Sequence, residues 1–154
     1  MKLNDLGSVD EIYSPFYGED VDLSLRAWRL GYECYFEPRA ICKHPSSTTI
    51  KKIKKSKVKI AAKRNKMLLH FIHLSGLSLV VYLFILTIKV PFRLLILDFN
   101  YVQAFIQFLG KLRKATDSKQ ALFQLQQSRN TFFPLMNIKS KIIEKIDELR
   151  IQKF

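Results

Sequence analysis

Three carboxylates stand within four positions near the start of the chain, at Glu19, Asp20 and Asp22. They open a segment in which apolar residues recur with helical spacing, and Gly31 stands where a helix C-cap glycine would. The segment is therefore predicted to be a helix whose dipole keeps these carboxylates ionised at neutral pH. An ionised carboxylate fixed at the start of a helix can act as a general base. The same position equally suits a helix cap, which on helix physics alone is the ordinary role.

The predicted helix has apolar residues on more than one side. Val21, Leu25 and Trp28 recur at i, i+4 and i+7, and Leu23, Ala27 and Leu30 lie on the flank. The helix is therefore expected to be buried on more than one side. An aromatic-rich run follows at residues 33–37 and is predicted to be a strand, and residues 40–43 are predicted to be another short extended segment.

The residues around the carboxylates form a longer pattern. Residues 14–32 read Ser-Pro-Phe-Tyr-Gly-Glu-Asp-Val-Asp-Leu-Ser-Leu-Arg-Ala-Trp-Arg-Leu-Gly-Tyr, followed by Tyr-Phe-Glu-Pro-Arg-Ala and a Lys-His pair. This pattern resembles the C-terminal half of the catalytic domain of family 2 glycosyltransferases, especially the bacterial rhamnosyltransferase-like members. The upstream Gly7-Ser8-Val9-Asp10-Glu11 is similar to their Gly-Gly-Phe-Asp-Glu loop, with departures at Ser8 and Val9. The resemblance covers residues 3–50 and, weakly, Arg64-Asn65-Lys66.

The resemblance implies roles for individual residues in an inverting, nucleotide-sugar-dependent transfer. Asp20 would take the proton from the acceptor hydroxyl, and Glu19 would complete the acidic pair. Asp22 is the second candidate for the base and is otherwise expected in the substrate site or as a first-turn cap. Tyr17 and Trp28 are expected to contact substrate, although the helical spacing of Trp28 also favours a core position.

The resemblance also implies a cofactor and a fold. His44 corresponds to a ligand of the Mn²⁺ or Mg²⁺ that bridges the sugar-nucleotide diphosphate, or else to a loop histidine before Pro45. The expected fold is an α/β fragment, the C-terminal part of a GT-A nucleotide-diphospho-sugar transferase fold, followed by a mostly α-helical membrane-associated region. Residues 1–15 hold neither the βαβ pattern nor the metal-binding Asp-x-Asp motif of the family's N-terminal half. We therefore expect an N-terminally truncated chain that is inactive alone.

Charge divides the chain into two unlike parts. Residues 1–42 carry eight acidic and four basic side chains, which gives a net charge of −4. Residues 43–154 have a net charge of +17, and the two parts together give the net charge of +13 of the whole chain. Nine basic residues and no acidic one lie in residues 51–66, as a basic helix or a solvated loop. The uncharged run Met67–Ile88 is long enough to cross a membrane or to dip into one leaflet. The run 90–109, interrupted by Pro91, is predicted to be an amphipathic helix in the interface.

These features predict four regions. They are a partial glycosyltransferase catalytic domain (1–50), a basic linker or helix (51–66), membrane-associated helices (67–109) and C-terminal helices (110–154). The expected partners are a nucleotide sugar donor, a glycan or lipid-linked acceptor and a membrane with anionic lipids at its cytoplasmic face. Nucleic acid is disfavoured because the lysine run lacks aromatic residues for base stacking.

The sequence supports two hypotheses about function. The first is glycosyl transfer in cell-surface polysaccharide synthesis. The alternative is a non-catalytic, basic membrane-associated protein that retains a glycosyltransferase-like module.

Overall fold

The computed structural model describes residues 6–32, 34–35, 41 and 53–130. Within them the chain forms a short 3-10 helix, Glu11–Tyr13, and five α-helices: α1 (Glu19–Arg29), α2 (Lys55–His73), α3 (Gly76–Leu95), α4 (Phe99–Gly110) and α5 (Leu112–Ser128). The predicted C-terminal region, 110–154, is described only as far as residue 130.

The predicted α/β fold, a part of a GT-A fold, is wrong for the described residues, which are helical and contain no strand. Their buried apolar side chains recur at helical spacing and pack between helices. The backbone hydrogen bonds are made within each helix, so this core forms without a sheet. The expected strand at 33–37 and the expected extended segment at 40–43 lie outside the described residues, apart from Cys34, Tyr35 and Ile41, which form no strand.

α1 begins and ends at the predicted residues. Gly18 precedes it with a φ of +104°, and the three carboxylates lie in its first turn. At its end Gly31 has a φ of +84° and donates its N–H to Trp28 O at 3.1 Å, while the N–H of Tyr32 donates to Ala27 O at 2.9 Å. These two bonds form a Schellman motif. The prediction of a helix from the carboxylates to Gly31 is therefore confirmed.

One buried face of α1 is polar. Val21 is 47% exposed, and Leu25 and Trp28 are only partly buried, whereas Asp22 and Arg26 are buried. The predicted burial of Val21, Leu25 and Trp28 was therefore wrong, whereas the flanking Ala27 and Leu30 are buried in an apolar cluster against which Leu23 packs. A buried carboxylate and a buried guanidinium are tolerated here because they pair with each other.

α2 lies at the centre of the helical core. Its Leu68 and Ile72 are fully buried in a cluster with Phe108 of α4 and Leu122 of α5. Ala104 of α4 is also fully buried, and its small side chain lets α4 approach α2 closely. The basic run, residues 51–66, is thus helical from Lys55 onward. The first residues of the uncharged run, from Met67 to His73, belong to the same helix.

α3 carries most of the remaining apolar run. The run is divided because Leu74 and Ser75 adopt extended backbone conformations between α2 and α3. Pro91 does not end α3, which continues to Leu95. The interruption comes later, at Leu97 with a φ of +56°, after which Asp98 caps α4.

One face of α3 is apolar and exposed. We define the apolar face of α3 by the exposed side chains of Leu77, Val80, Val81, Phe84, Ile85, Ile88, Phe92 and Leu95. Within the described residues α3 is the one helix long and apolar enough to cross a membrane. Length and composition alone support this, and the other face of α3 packs on α2 and α4.

Candidate functional site

Asp20 lies exposed at the beginning of α1. Its Oδ1 accepts a hydrogen bond from the N–H of Val21 at 2.9 Å. Its Oδ2 makes no hydrogen bond within the described residues. The neighbouring Glu19 is partly buried, and its Oε2 is buried without a hydrogen-bond partner in the same part of the chain. Asp20 therefore presents one oxygen to the helix end, as a cap does, and leaves the other open to solvent.

A strained turn leads into Asp20. Tyr17 has a φ of +70°, a left-handed conformation that costs a side-chain-bearing residue roughly 1–2 kcal/mol. Gly18 follows with its φ of +104°, and a Cβ at this position would lie 3.2 Å from the ring of Tyr13. Only glycine fits there without strain. Such conformations persist when surrounding contacts hold them, and they cluster at functional sites.

Asn65 of α2 holds this turn. Its Nδ2 donates to the carbonyl oxygens of Phe16 and Tyr17, both at 2.8 Å, and also to that of Tyr13. Its Oδ1 accepts from Arg64 Nε at 2.9 Å, which fixes the orientation of the amide. One buried side chain thereby sets the path of the residues that precede Asp20.

Two cations hold the same loop from other sides. Arg64 Nη2 donates to the carbonyl of Ser14 at 2.6 Å, and Lys111 Nζ donates to that of Ile12 at 2.5 Å. Burial lowers the pKa of both side chains. The loop before α1 is therefore held by α2 and by the junction of α4 and α5.

Asp22 lies in a buried polar network beneath α1. Its Oδ1 accepts from Tyr13 Oη at 2.9 Å and from His73 Nε2 at 2.8 Å, and its Oδ2 lies 2.6 Å from Arg26 Nη2. The same Arg26 nitrogen lies 3.1 Å from Asp10 Oδ2. Asp22 is 1% exposed, so its acceptor capacity is used inside the protein. Asp20 is left as the carboxylate of this helix start that faces solvent.

The electrostatics of the network keep Asp22 ionised. Burial acts to raise its pKa, but the hydrogen bond from His73 and the charge of Arg26 outweigh burial and lower it. Burial lowers the pKa of His73, although the hydrogen bond to Asp22 opposes this change. Because an ionised carboxylate only accepts, the proton of neutral His73 is on Nε2. Its Nδ1 is buried without a partner among the described residues.

A second buried contact joins α1 to α5. Arg29 Nη2 donates to Gln126 Oε1 at 2.8 Å, and Gln126 Nε2 donates back to Arg29 O at 3.2 Å. Arg29 also donates to the carbonyl of His73 at 3.3 Å, and burial lowers its pKa. Sequence reasoning missed His73, Asn65 and Gln126 as partners of α1. The one available signal was His73, an ionisable residue in an uncharged run that needs a polar partner when buried.

The remaining predicted site residues are not brought together with Asp20. Tyr17 is 45% exposed and packs edge-on against Phe16, and Trp28 is partly buried in the last turns of α1. His44 lies outside the described residues. Within the described ranges no group of three potential ligands is placed to hold a metal ion, so we derive no step through a metal there.

A cavity of about 360 Å³ lies beside the loop that resembles Gly-Gly-Phe-Asp-Glu. It is lined by Gly7, Val9, Asp10, Glu11 and Arg26, and by residues of α5 on its other side. Asp20 is not among its lining residues. The loop and the solvent-facing carboxylate at the start of α1 therefore lie on two separate surfaces in this structure.

Comparison with protein families, curated proteins and solved structures finds no match to this chain.

Proposed function

We propose that this chain supplies the acceptor-activating part of an inverting, nucleotide-sugar-dependent glycosyltransferase at a membrane surface, with Asp20 as the base. The observation that carries the proposal is the strained turn at Tyr17 and Gly18, clamped by Asn65, which presents Asp20 to solvent at the start of α1. A base must be fixed and accessible to the attacking oxygen, and the clamped turn and the exposure of Asp20 support this role.

The proposed step moves one proton and exchanges one bond. The acceptor hydroxyl attacks the anomeric carbon of the nucleotide sugar, and its proton passes to the free oxygen of Asp20. The bond from the anomeric carbon to the diphosphate breaks, and its electron pair leaves with the nucleoside diphosphate. A divalent metal would supply charge neutralisation at that diphosphate. Asp22 takes no proton in this scheme, because its network holds it ionised and buried.

The membrane part of the proposal is supported by the apolar face of α3 and by the basic character of the chain after residue 43. An exposed apolar helix face flanked by cations is typical of proteins that lie in a membrane interface. The acceptor would then be a glycan or a lipid-linked sugar at the cytoplasmic face of the membrane.

A second candidate is a non-catalytic, basic membrane-associated protein. The hydrogen bond from the N–H of Val21 to Asp20 favours it, because this bond satisfies one of the first N–H groups of α1, which have no partner within the helix. The position of Asp20 outside the cavity beside Glu11 favours it as well.

The two candidates are separated by editing the native gene, so that the chain keeps its cellular context. Membranes from the wild type, Asp20→Asn and the control Asp117→Asn are assayed for transfer of labelled sugar from nucleotide sugars with Mn²⁺ or Mg²⁺. Asp117 is an exposed carboxylate of α5. We expect Asp20→Asn to lower transfer by about 10²–10⁴-fold, the usual contribution of a general base, with equal protein in the membrane. We expect Asp117→Asn to leave transfer unchanged. Equal transfer by all three would exclude Asp20 as the base and favour the second candidate.

A further inference from the structure

A cationic cleft lies between α2, α3 and α4. Its volume is about 490 Å³, within the range of roughly 300–1,000 Å³ that is usual for ligand sites. Four cations line it: Lys63 and Lys66 from α2, and Lys89 and Arg93 from α3. Two helices thus bring together cations that are up to thirty positions apart in the chain.

The positive charge of the cleft is only partly neutralised. Asp98 lies 2.8 Å from Lys63 Nζ and 3.4 Å from Arg93 Nη1 through the same oxygen. Residues 53–130 contain one other acidic side chain, on α5, which does not line the cleft. Lys66 and Lys89 are exposed and form no ion pair with the described residues. The cleft therefore has four cations and one neighbouring carboxylate, which pairs with two of them. A bound anion would neutralise part of the remaining positive charge.

Aromatic rings hold the walls of the cleft. Lys63 Nζ and Arg93 Cζ lie 5.6 Å and 5.3 Å from the ring centre of Tyr101, in cation–π contact. On the opposite side His70 stacks on Tyr82 with ring centres 4.8 Å apart. The cations are thus positioned before any anion arrives, which reduces the entropy cost of binding.

An apolar groove continues from the cleft along α3. It measures about 400 Å³ and is lined by Leu77, Ser78, Val81, Tyr82 and Ile85. Tyr82 and Ile85 line both the groove and the cleft, so the cationic and apolar spaces adjoin. Leu77, Val81 and Ile85 also belong to the apolar face of α3. A ligand that fits both spaces has an anionic head and a hydrocarbon chain.

We propose that the cleft binds the phosphate of an anionic membrane phospholipid, with the adjoining groove along α3 receiving one of its hydrocarbon chains. Basic pockets between helices at a membrane surface bind such head groups. The inference rests on the membrane association in the proposed function and adds to it a defined site. The lipid orients the protein on the membrane, because the head group fixes the height of α3 relative to the interface.

The test compares two charge-matched double variants of the full chain. Lys66→Ala/Lys89→Ala removes the two unpaired cations of the cleft. Lys57→Ala/Lys59→Ala removes two exposed cations from the first turns of α2, outside the cleft. Binding to vesicles of phosphatidylcholine, with or without phosphatidylglycerol, is measured by co-sedimentation. The salt is about 0.5 M, where the Debye length is about 4 Å and non-specific attraction is screened.

We expect the wild-type chain to bind phosphatidylglycerol vesicles more tightly than phosphatidylcholine vesicles. The cleft variant is expected to bind phosphatidylglycerol vesicles at least about tenfold more weakly than the wild type, because each lysine contributes about 1 kcal/mol. The affinity of the control variant is expected to stay within about threefold of the wild type. Equal loss in both variants would overturn the defined site. Equal wild-type binding to both vesicle types would overturn it too but leave membrane association intact, whereas binding to neither type would contradict the membrane part of the proposed function as well.

Free phosphate ions carry the same anionic group as a lipid head group and are the other possible ligand of the cleft. Sodium phosphate is added to bound phosphatidylglycerol vesicles and compared with sodium chloride at equal ionic strength. We expect the two salts to release the same fraction of protein. Selective release by phosphate would show that the free ion displaces the lipid head group and that the hydrocarbon chain adds no affinity, and the assignment of the groove to that chain would be wrong.

Discussion

Replacing Asn65 tests whether one side chain holds the turn that presents Asp20. The two hydrogens of its Nδ2 are shared among three carbonyl oxygens, those of Tyr13, Phe16 and Tyr17. Asn65→Ala removes both hydrogens, and a buried carbonyl left without a donor costs about 1–3 kcal/mol. The contact with Tyr13 is buried, and the other two are partly buried, so water replaces part of the loss. We expect the free energy of unfolding to fall by about 3 kcal/mol, because one or two carbonyl oxygens lose their donor and are not fully hydrated.

A matched set of variants makes this measurement specific. Asn65→Asp keeps the shape of the side chain but removes both donors, so it is expected to cost at least as much as Asn65→Ala. Asn100→Ala on α4 removes a half-buried amide that makes no side-chain hydrogen bond among the described residues, and its effect is expected within about 0.5 kcal/mol. Urea unfolding in a non-ionic detergent is followed by the fluorescence of Trp28, the single tryptophan, which lies in α1. Losses below about 1 kcal/mol for both Asn65 variants would refute the clamp.

The remaining predictions concern the turn and the buried network. Gly18→Ala is expected to lower the free energy of unfolding by about 1–3 kcal/mol in the same urea assay, because its Cβ would enter a left-handed position against Tyr13; no loss would contradict the strain. Because His73 has a lowered pKa in the folded chain, only the unfolded chain takes up its proton as pH falls below about 6.5, so stability is expected to fall there. The lowered pKa of Asp22 adds a second fall below about pH 4, since the folded chain stays ionised while the unfolded chain is protonated. Urea midpoints between pH 7 and 5 check the first fall: the wild type should lose stability and His73→Gln should lose less, whereas equal slopes would contradict the assignment.

The helix α1 could be predicted because its signals are local. The first-turn carboxylates, the flanking Gly18 and the C-terminal Gly31 act on backbone groups within one or two turns. The length and lack of charge of the run at residues 67–88 also indicated an apolar helix. The division at Leu74 and Ser75 was missed, although the Ser75-Gly76 pair is a turn signal and Gly76 has a φ of +54°.

The fold class could not be predicted from the same signals. The resemblance implied strands, whereas the described chain closes its core by packing α4 and α5 on α2. Which faces are buried depends on such contacts. Asp22 and Arg26 lie inside α1's packed face because His73 and Tyr13 meet them there, and helical periodicity treats such residues as surface.

The order of residues alone was sufficient to place Asp20 at the start of a helix, because caps and dipoles act over a few bonds. It could not show that Asn65, 48 residues further along the chain from Tyr17, holds the turn before Asp20. Nor could it show that Lys66 and Lys89 face one cleft. Those pairings arise when α2 packs against its neighbours, since hydrogen bonds and charge pairs need distances of a few ångströms that only the folded chain provides.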